Sequence, residues 1–123
     1  MSVRGIRGAT TVEHDDAKEV LQATESLVLE MAESNQFKPE DIVSIIVSTT
    51  VDVKAAFPAK AIRSIEGWTY VPVMCTHEID VPGSMRKCIR VMMNVNTSKK
   101  QEEIQHIYQN NAVQLRPDLQ KQQ

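Results

Sequence analysis

The chain is expected to fold as one α+β domain built on a mixed five-stranded sheet, with one long helix and shorter helices on one side. Three observations predict this. Val20, Leu21, Thr24, Leu27, Val28 and Met31 recur at helical spacing after Asp16, which marks one long amphipathic helix. The β-branched run Ile42 to Thr49 and the alternating run around Ile89 to Val95 read as strands. Along the whole chain the patterns follow the order β-α-β-α-β-β-α-β, with no repeat, low-complexity tract or linker between them. At 123 residues the chain makes one domain that buries roughly two-thirds of its unfolded surface. Residues 1–117 form that domain, and the polar residues 118–123 are expected to be a mobile tail. Aromatic residues are only 4% of the chain against 41% hydrophobic, so the core must be Ile, Val, Leu, Met and Ala.

Val3 to Val12 reads as the first strand, with Val3, Gly5, Arg7 and Ala9 on one face and Arg4, Ile6 and Gly8 on the other. Asp16 with Glu19 three residues on resembles a capping box and opens the long helix, whose single apolar stripe places it outside a sheet. Pro39, Glu40 and Asp41 form a one-turn start signal before the strand Ile42 to Thr49, whose unbroken β-branched run suggests cover on both faces. Phe57-Pro58 opens a short helix carrying Lys60, Ile62, Arg63 and Ile65, which Gly67 ends in a left-handed conformation. Lys60 and Arg63 share one face of it. Tyr70 to Cys75 is the third strand, restricted by Pro72 to an edge or irregular position, and Thr76 to Ser84 is a loop bearing Glu78 and Asp80. In the fourth strand Ile89, Val91, Met93 and Val95 share one face, while Cys88, Arg90, Met92 and Asn94 share the other. Ser98 with Gln101 reads as a further helix start, running through Ile104, Ile107 and Tyr108, and Ala112 to Arg116 as the last strand.

Composition narrows the function. A net charge of −2 and a pI near 5.9 give no general attraction to nucleic acid or anionic membranes. No apolar stretch approaches the roughly 18 to 20 residues that span a bilayer, and no signal peptide opens the chain, so a cytoplasmic protein is expected. Cys75 and Cys88 lack metal-ligand spacing and read as reduced thiols, with no metal site. His14, His77 and His106 form no triad order, and the four glycines form no phosphate-binding loop, so neither a hydrolase nor a nucleotide cofactor is implied.

What remains is cationic. Arg90 stands inside an apolar alternation, where a guanidinium stays charged and must meet an anion. Arg7, Lys60, Arg63, Arg90 and Arg116 lie at strand faces or element ends, with Glu78 and Tyr108 as polar company. Spacing alone leaves two readings open, a site for a small di- or tricarboxylate or a set of solvated surface charges. Arg4, Arg86 and Lys87 fit the second.

The strings Arg4-Gly-Ile-Arg-Gly-Ala-Thr-Thr-Val12, Phe57-Pro-Ala-Lys60 with Arg63, Tyr70-Val-Pro-Val73, Cys75 with Glu78, Cys88-Ile-Arg90-Val-Met, His106-Ile-Tyr108 and Leu115-Arg-Pro-Asp-Leu119 decide between them. In order and over nearly the whole chain, they resemble the monofunctional, trimeric chorismate mutases of the pseudo-α/β-barrel class. The resemblance implies conversion of chorismate to prephenate, on the way to phenylalanine and tyrosine, without metal or cofactor, at sites between the subunits of a homotrimer. It makes Arg90 the arginine that meets the breaking ether oxygen and a carboxylate, and Glu78 the acid that meets the substrate hydroxyl. Arg7 and Tyr108 would hold the side-chain carboxylate. Phe57, Ala59, Lys60 and Arg63 would come from the neighbouring subunit, Val73, Met74 and Cys75 would line the pocket partly through backbone groups, and Leu115 and Arg116 would belong to a closing tail. Position 74 is usually small and polar in that family, whereas Met74 is bulky. Two rivals are an imine or enamine deaminase on a related trimeric fold, and a non-catalytic binder of a shikimate-derived acid.

Overall fold

A computed structural model describes residues 1–115. Strand β1 spans Ser2–Thr11, helix α1 Ala17–Asn35, β2 Ile42–Thr49, α2 Pro58–Arg63, β3 Val73–His77, β4 Cys88–Thr97 and β5 Ile107–Tyr108. Short 3-10 turns lie at Pro39–Asp41, Gln101–Glu103 and Asn110–Leu115. The sheet order is β3-β2-β4-β1-β5. Its centre is antiparallel, β4 between β2 and β1, and each edge strand joins in parallel, β3 on β2 and β5 on β1. The mixed five-stranded α+β architecture is the one expected, and Pro72 marks the edge strand as anticipated. Its carbonyl still accepts from Ile45 N–H at 2.9 Å, but the strand proper starts three residues later than Tyr70.

Helix α1 begins as its cap residues dictate: Asp16 is extended and its carboxylate accepts the Glu19 N–H at 3.1 Å. The Glu19 carboxylate does not complete a capping box. It reaches further back and accepts from the Glu13 and His14 amides at 2.6 and 3.2 Å, and the Glu13 bond, aided by His14, outweighs burial and holds its pKa below the usual value. Gln36 in left-handed conformation ends the helix. Val20, Leu27, Val28 and Met31 bury the helix stripe against the sheet face formed by Ile6, Ile45, Val47, Ile89, Val91, Met93 and Val95. Gly8 lies where α1 comes closest: a Cβ there would collide with the sulfur of Met31 and press on Leu27. Gly8→Ala is therefore expected to cost about 1–3 kcal/mol of stability, read from the denaturant midpoint.

Three expectations fail, each for a tertiary reason. The predicted helix from Ser98 shrinks to the turn Gln101–Glu103, and residues 107–108 join the sheet instead. Buried Asn35 is the cause: its side chain donates to Met31 and Gln105 carbonyls and accepts the Gln105 N–H, at 2.8, 2.8 and 2.7 Å, which pins the chain extended beside β1. The predicted strand Ala112 to Arg116 is a 3-10 turn as far as Leu115. Asn110, left-handed at φ 54°, donates to the Thr10 hydroxyl and Thr11 carbonyl, and the Thr11 hydroxyl accepts the Asn111 N–H. Arg116 and the tail expected at 118–123 lie outside the described residues. Finally, β2 is covered on one face only: Ile45 and Val47 are buried, whereas Ile46 between them is 47% exposed. In the single chain the sheet face opposite α1 is open around Ile46, Met74 and Met92, while its end at Ala9, Thr11 and Cys88 is covered.

Candidate active site

The open face positions the predicted residues. Register places Ser48, Arg90, Ala9 and Tyr108 in one row across β2, β4, β1 and β5, and Ile46, Met92 and Arg7 in the adjacent row. Side chains in such rows share a face and stand one strand spacing, about 4.8 Å, apart at the backbone. Strand alternation, which buries Ile6 and Gly8 under α1, is what turns Arg7 outward; in β4 the same alternation buries Ile89, Val91 and Met93 and turns Arg90 and Met92 outward.

An open cleft of about 250 Å³ follows, lined by Arg7, Ile46, Ser48, Glu78, Arg90, Met92, Tyr108 and Leu115 among others. Glu78 leads out of β3, its N–H donating to Thr49 carbonyl at 2.8 Å, and brings its carboxylate to 3.8 Å from Arg90 Nε. That separation is an ion pair too long to be a hydrogen bond. The Arg90 side chain is 48% exposed, so the buried guanidinium that the apolar alternation suggested is instead a half-open one facing the cleft. Beneath it the buried Cys88 thiol has its pKa raised by burial, which outweighs the attraction of Arg90; it stays protonated and is no nucleophile.

Arg7 and Tyr108 are brought together by the β1–β5 pairing of Gly8 with Ile107 and Ala9 with Tyr108. His106 assists, its Nδ1 accepting the Arg7 N–H at 2.9 Å, which places the ring proton on Nε2. The sequence pattern gives His106 no such role, because it falls within the helix expected after Ser98. Ser48, Ile46 and Met92 were also not singled out as site residues; their alternation was visible, but only the register shows that Ser48 and Ile46 flank Arg90 and Met92.

The remaining predicted residues lie elsewhere on the chain. Phe57, 76% exposed, and Cys75 line a second cavity of about 350 Å³ with Lys54, Thr76 and His77. Ala59 is buried in α2, while Lys60 and Arg63 are exposed on it. Val73 and Cys75 pack against the core, and Met74, opposite Ile46, is exposed on the open face. Thus Arg7, Glu78, Arg90, Tyr108 and Leu115 converge in one cleft, and the Phe57–Arg63 and Val73–Cys75 segments stand apart from it. Among the described residues no helix is long and apolar enough to cross a membrane.

Residues 3–119 match the family model described as chorismate mutase type I. The chain is 54% identical over 119 residues to chorismate mutase AroH of Bacillus subtilis, covering 97% of this chain and 94% of that one. To chorismate mutase AroH of Thermus thermophilus it is 44% identical over 122 residues, covering 98% and 99%. A solved chorismate mutase from Clostridium thermocellum superposes with a TM-score of 0.86 at 53% identity, covering 89% of this chain and 96% of that one.

Proposed function

The chain belongs to the chorismate mutase type I family, and we propose that it isomerises chorismate to prephenate in a cleft that a neighbouring subunit completes. It acts as an isomerase in aromatic amino acid biosynthesis, with a cytoplasmic setting, and it requires neither metal nor organic cofactor.

The reaction is a concerted rearrangement in which the ether C–O bond breaks ahead of C–C bond formation. Negative charge grows on the ether oxygen and positive charge on the ring, and no proton changes hands. The demands on the protein are therefore fixed charges and a shape that selects the compact substrate conformer. Arg90 carries the central role: its planar, permanently charged fork meets both ether oxygen and carboxylate. Glu78, 3.8 Å from Arg90, takes the substrate hydroxyl and lies beside the developing cation. Arg7 and Tyr108 hold the side-chain carboxylate, Leu115 lines the cleft beside them, and Arg116 is a further substrate-binding residue. Even a 10⁶-fold acceleration needs about 8 kcal/mol. One preorganised donor contributes about 3–4 kcal/mol, so conformer selection by the other residues must supply the rest.

The neighbouring subunit contributes Phe57, Ala59, Lys60, Arg63 and the Val73, Met74 and Cys75 edge, in a homotrimer. Support comes from the open sheet face, where the paired neighbours Ile46, Met74 and Met92 are 47%, 73% and 39% exposed. Burying so contiguous an apolar surface favours association. A protein edge above Arg90 would also strengthen the interactions of its charge by excluding water.

The observation that carries this reading is the convergence of Arg7, Glu78, Arg90 and Tyr108 on one cleft of an otherwise apolar face. The test is to mix the purified protein with chorismate. The diene absorbance is expected to fall while prephenate appears mole for mole; unchanged chorismate, or turnover of imines instead, would reject the reading.

A further inference from the structure

The loop between β3 and β4 starts with Glu78 and ends at Lys87, and the end of β2 together with the turn after it holds both ends. At the first end Thr49 carbonyl accepts the Glu78 N–H at 2.8 Å. At the second, the Asp52 carboxylate accepts the Lys87 N–H with both oxygens, at 3.1 and 2.9 Å, and the Thr50 hydroxyl at 2.5 Å. The Thr50 hydroxyl in turn accepts the Cys88 N–H at 2.9 Å, and Thr50 N–H donates to Cys88 carbonyl at 3.0 Å. Arg86 Nε lies 3.5 Å from the same carboxylate. Lys87 needs this grip because it is left-handed, with φ 48°, a conformation whose Cβ–carbonyl crowding costs any L-residue energy and persists only where neighbours enforce it.

We infer that Asp52 is a positioning residue for this reaction: with Thr50 it clasps the Glu78–Lys87 loop and the first residues of β4, and so sets the Glu78-to-Arg90 separation. The inference rests on the chorismate mutase reading and deepens it. Asp52 is not one of the residues lining the cleft of Arg7, Arg90 and Tyr108, and its bonds go to Thr50, Lys87 and Arg86, so it acts on the reaction through the loop and strand that carry Glu78 and Arg90. A charged acceptor suits the task, since bonds from backbone N–H groups to a carboxylate are shorter and stronger than those to a neutral oxygen. Burial works against the ionised form of Asp52. The bonds from Thr50 and Lys87 together with Arg86 outweigh it and hold the carboxyl below its usual range, so the clasp is charged at neutral pH.

The test compares wild type with Asp52→Asn, Thr50→Val and Glu78→Gln in chorismate turnover. A displacement near 1 Å of an oriented catalytic group costs up to about a hundredfold. Asp52→Asn and Thr50→Val should therefore each lower kcat roughly tenfold to hundredfold, while KM moves less than about threefold. Thr50→Ser, which keeps the hydroxyl, should restore most of the rate. In a Glu78→Gln background, adding Asp52→Asn should change kcat by less than about twofold, since both substitutions disrupt one arrangement. Wild-type kcat in Asp52→Asn, or effects that multiply fully with Glu78→Gln, would overturn the inference. Should Asp52→Asn fail to fold, Thr50→Val against Thr50→Ser decides in the same way. Wild-type protein that leaves chorismate untouched would instead reject the function itself, a distinct outcome.

Discussion

Arg90→Ala is expected to lower chorismate turnover by about a thousandfold or more while leaving the protein folded. Removing one preorganised donor from a developing oxyanion costs about 10²–10³ in rate. Here the loss also strips the only cation in the Ser48, Ala9 and Tyr108 row of the cleft, and leaves Glu78 beside the reacting atoms without its counterion. Stability should hardly notice. The side chain is half exposed and its pair with Glu78 spans 3.8 Å, an interaction of the kind worth about 0–1 kcal/mol. A chorismate assay with a thermal melt on the same preparation checks both halves. A variant within tenfold of wild type would remove Arg90 from the mechanism, and a collapsed fold would mean that it is structural.

The second large effect is a restoration. Arg90→Ala disables the cleft of its own subunit, whereas Lys60→Ala with Arg63→Ala on α2 disables the site of the neighbour that α2 serves. Each parent is expected to be nearly inactive, the α2 double variant because each lost charged contact costs about 1.5–3 kcal/mol. Unfolded and refolded together in equal amounts, they should recover about a quarter of wild-type sites, since half of the clefts carry Arg90 and half of those meet an intact α2 in a closed ring. Activity equal to the average of the two parents would show that cleft and α2 serve the same chain. Sedimentation of the wild type provides the companion result: an active monomer would contradict a shared site.

Much of this arrangement was legible in residue order. Asp16 and the 3.6-residue spacing announced α1, and two-residue alternation assigned Arg7 and Arg90 to their faces correctly. Pro72 announced an edge. Alternation cannot supply register, however, and so Ser48, directly opposite Arg90, went unnoticed. The segment after β4 misled for a related reason. Ile104 and Ile107 have helical spacing, but Asn35, 70 residues earlier than Gln105, and the Gly8–Ala9 edge hold that segment extended. Such long-range polar contacts leave no local signature, and they outweigh weak helix propensity. The unbroken apolar run of β2 read as two-sided burial, whereas one chain covers only one side. In the trimer proposed above, a neighbouring subunit would supply the second cover. His106 and Asp52 were invisible for the same physical reason: each works through a backbone amide far away in sequence, Arg7 for one and Lys87 for the other.

The central claim is that Arg90 acts through the geometry of its guanidinium fork and its charge together. The most direct measurement is kcat and KM of Arg90→Lys, which keeps the charge and removes the fork. A fall in kcat of about a hundredfold, with an unchanged thermal midpoint, is the predicted result. A lysine variant turning over chorismate at close to the wild-type rate would contradict it.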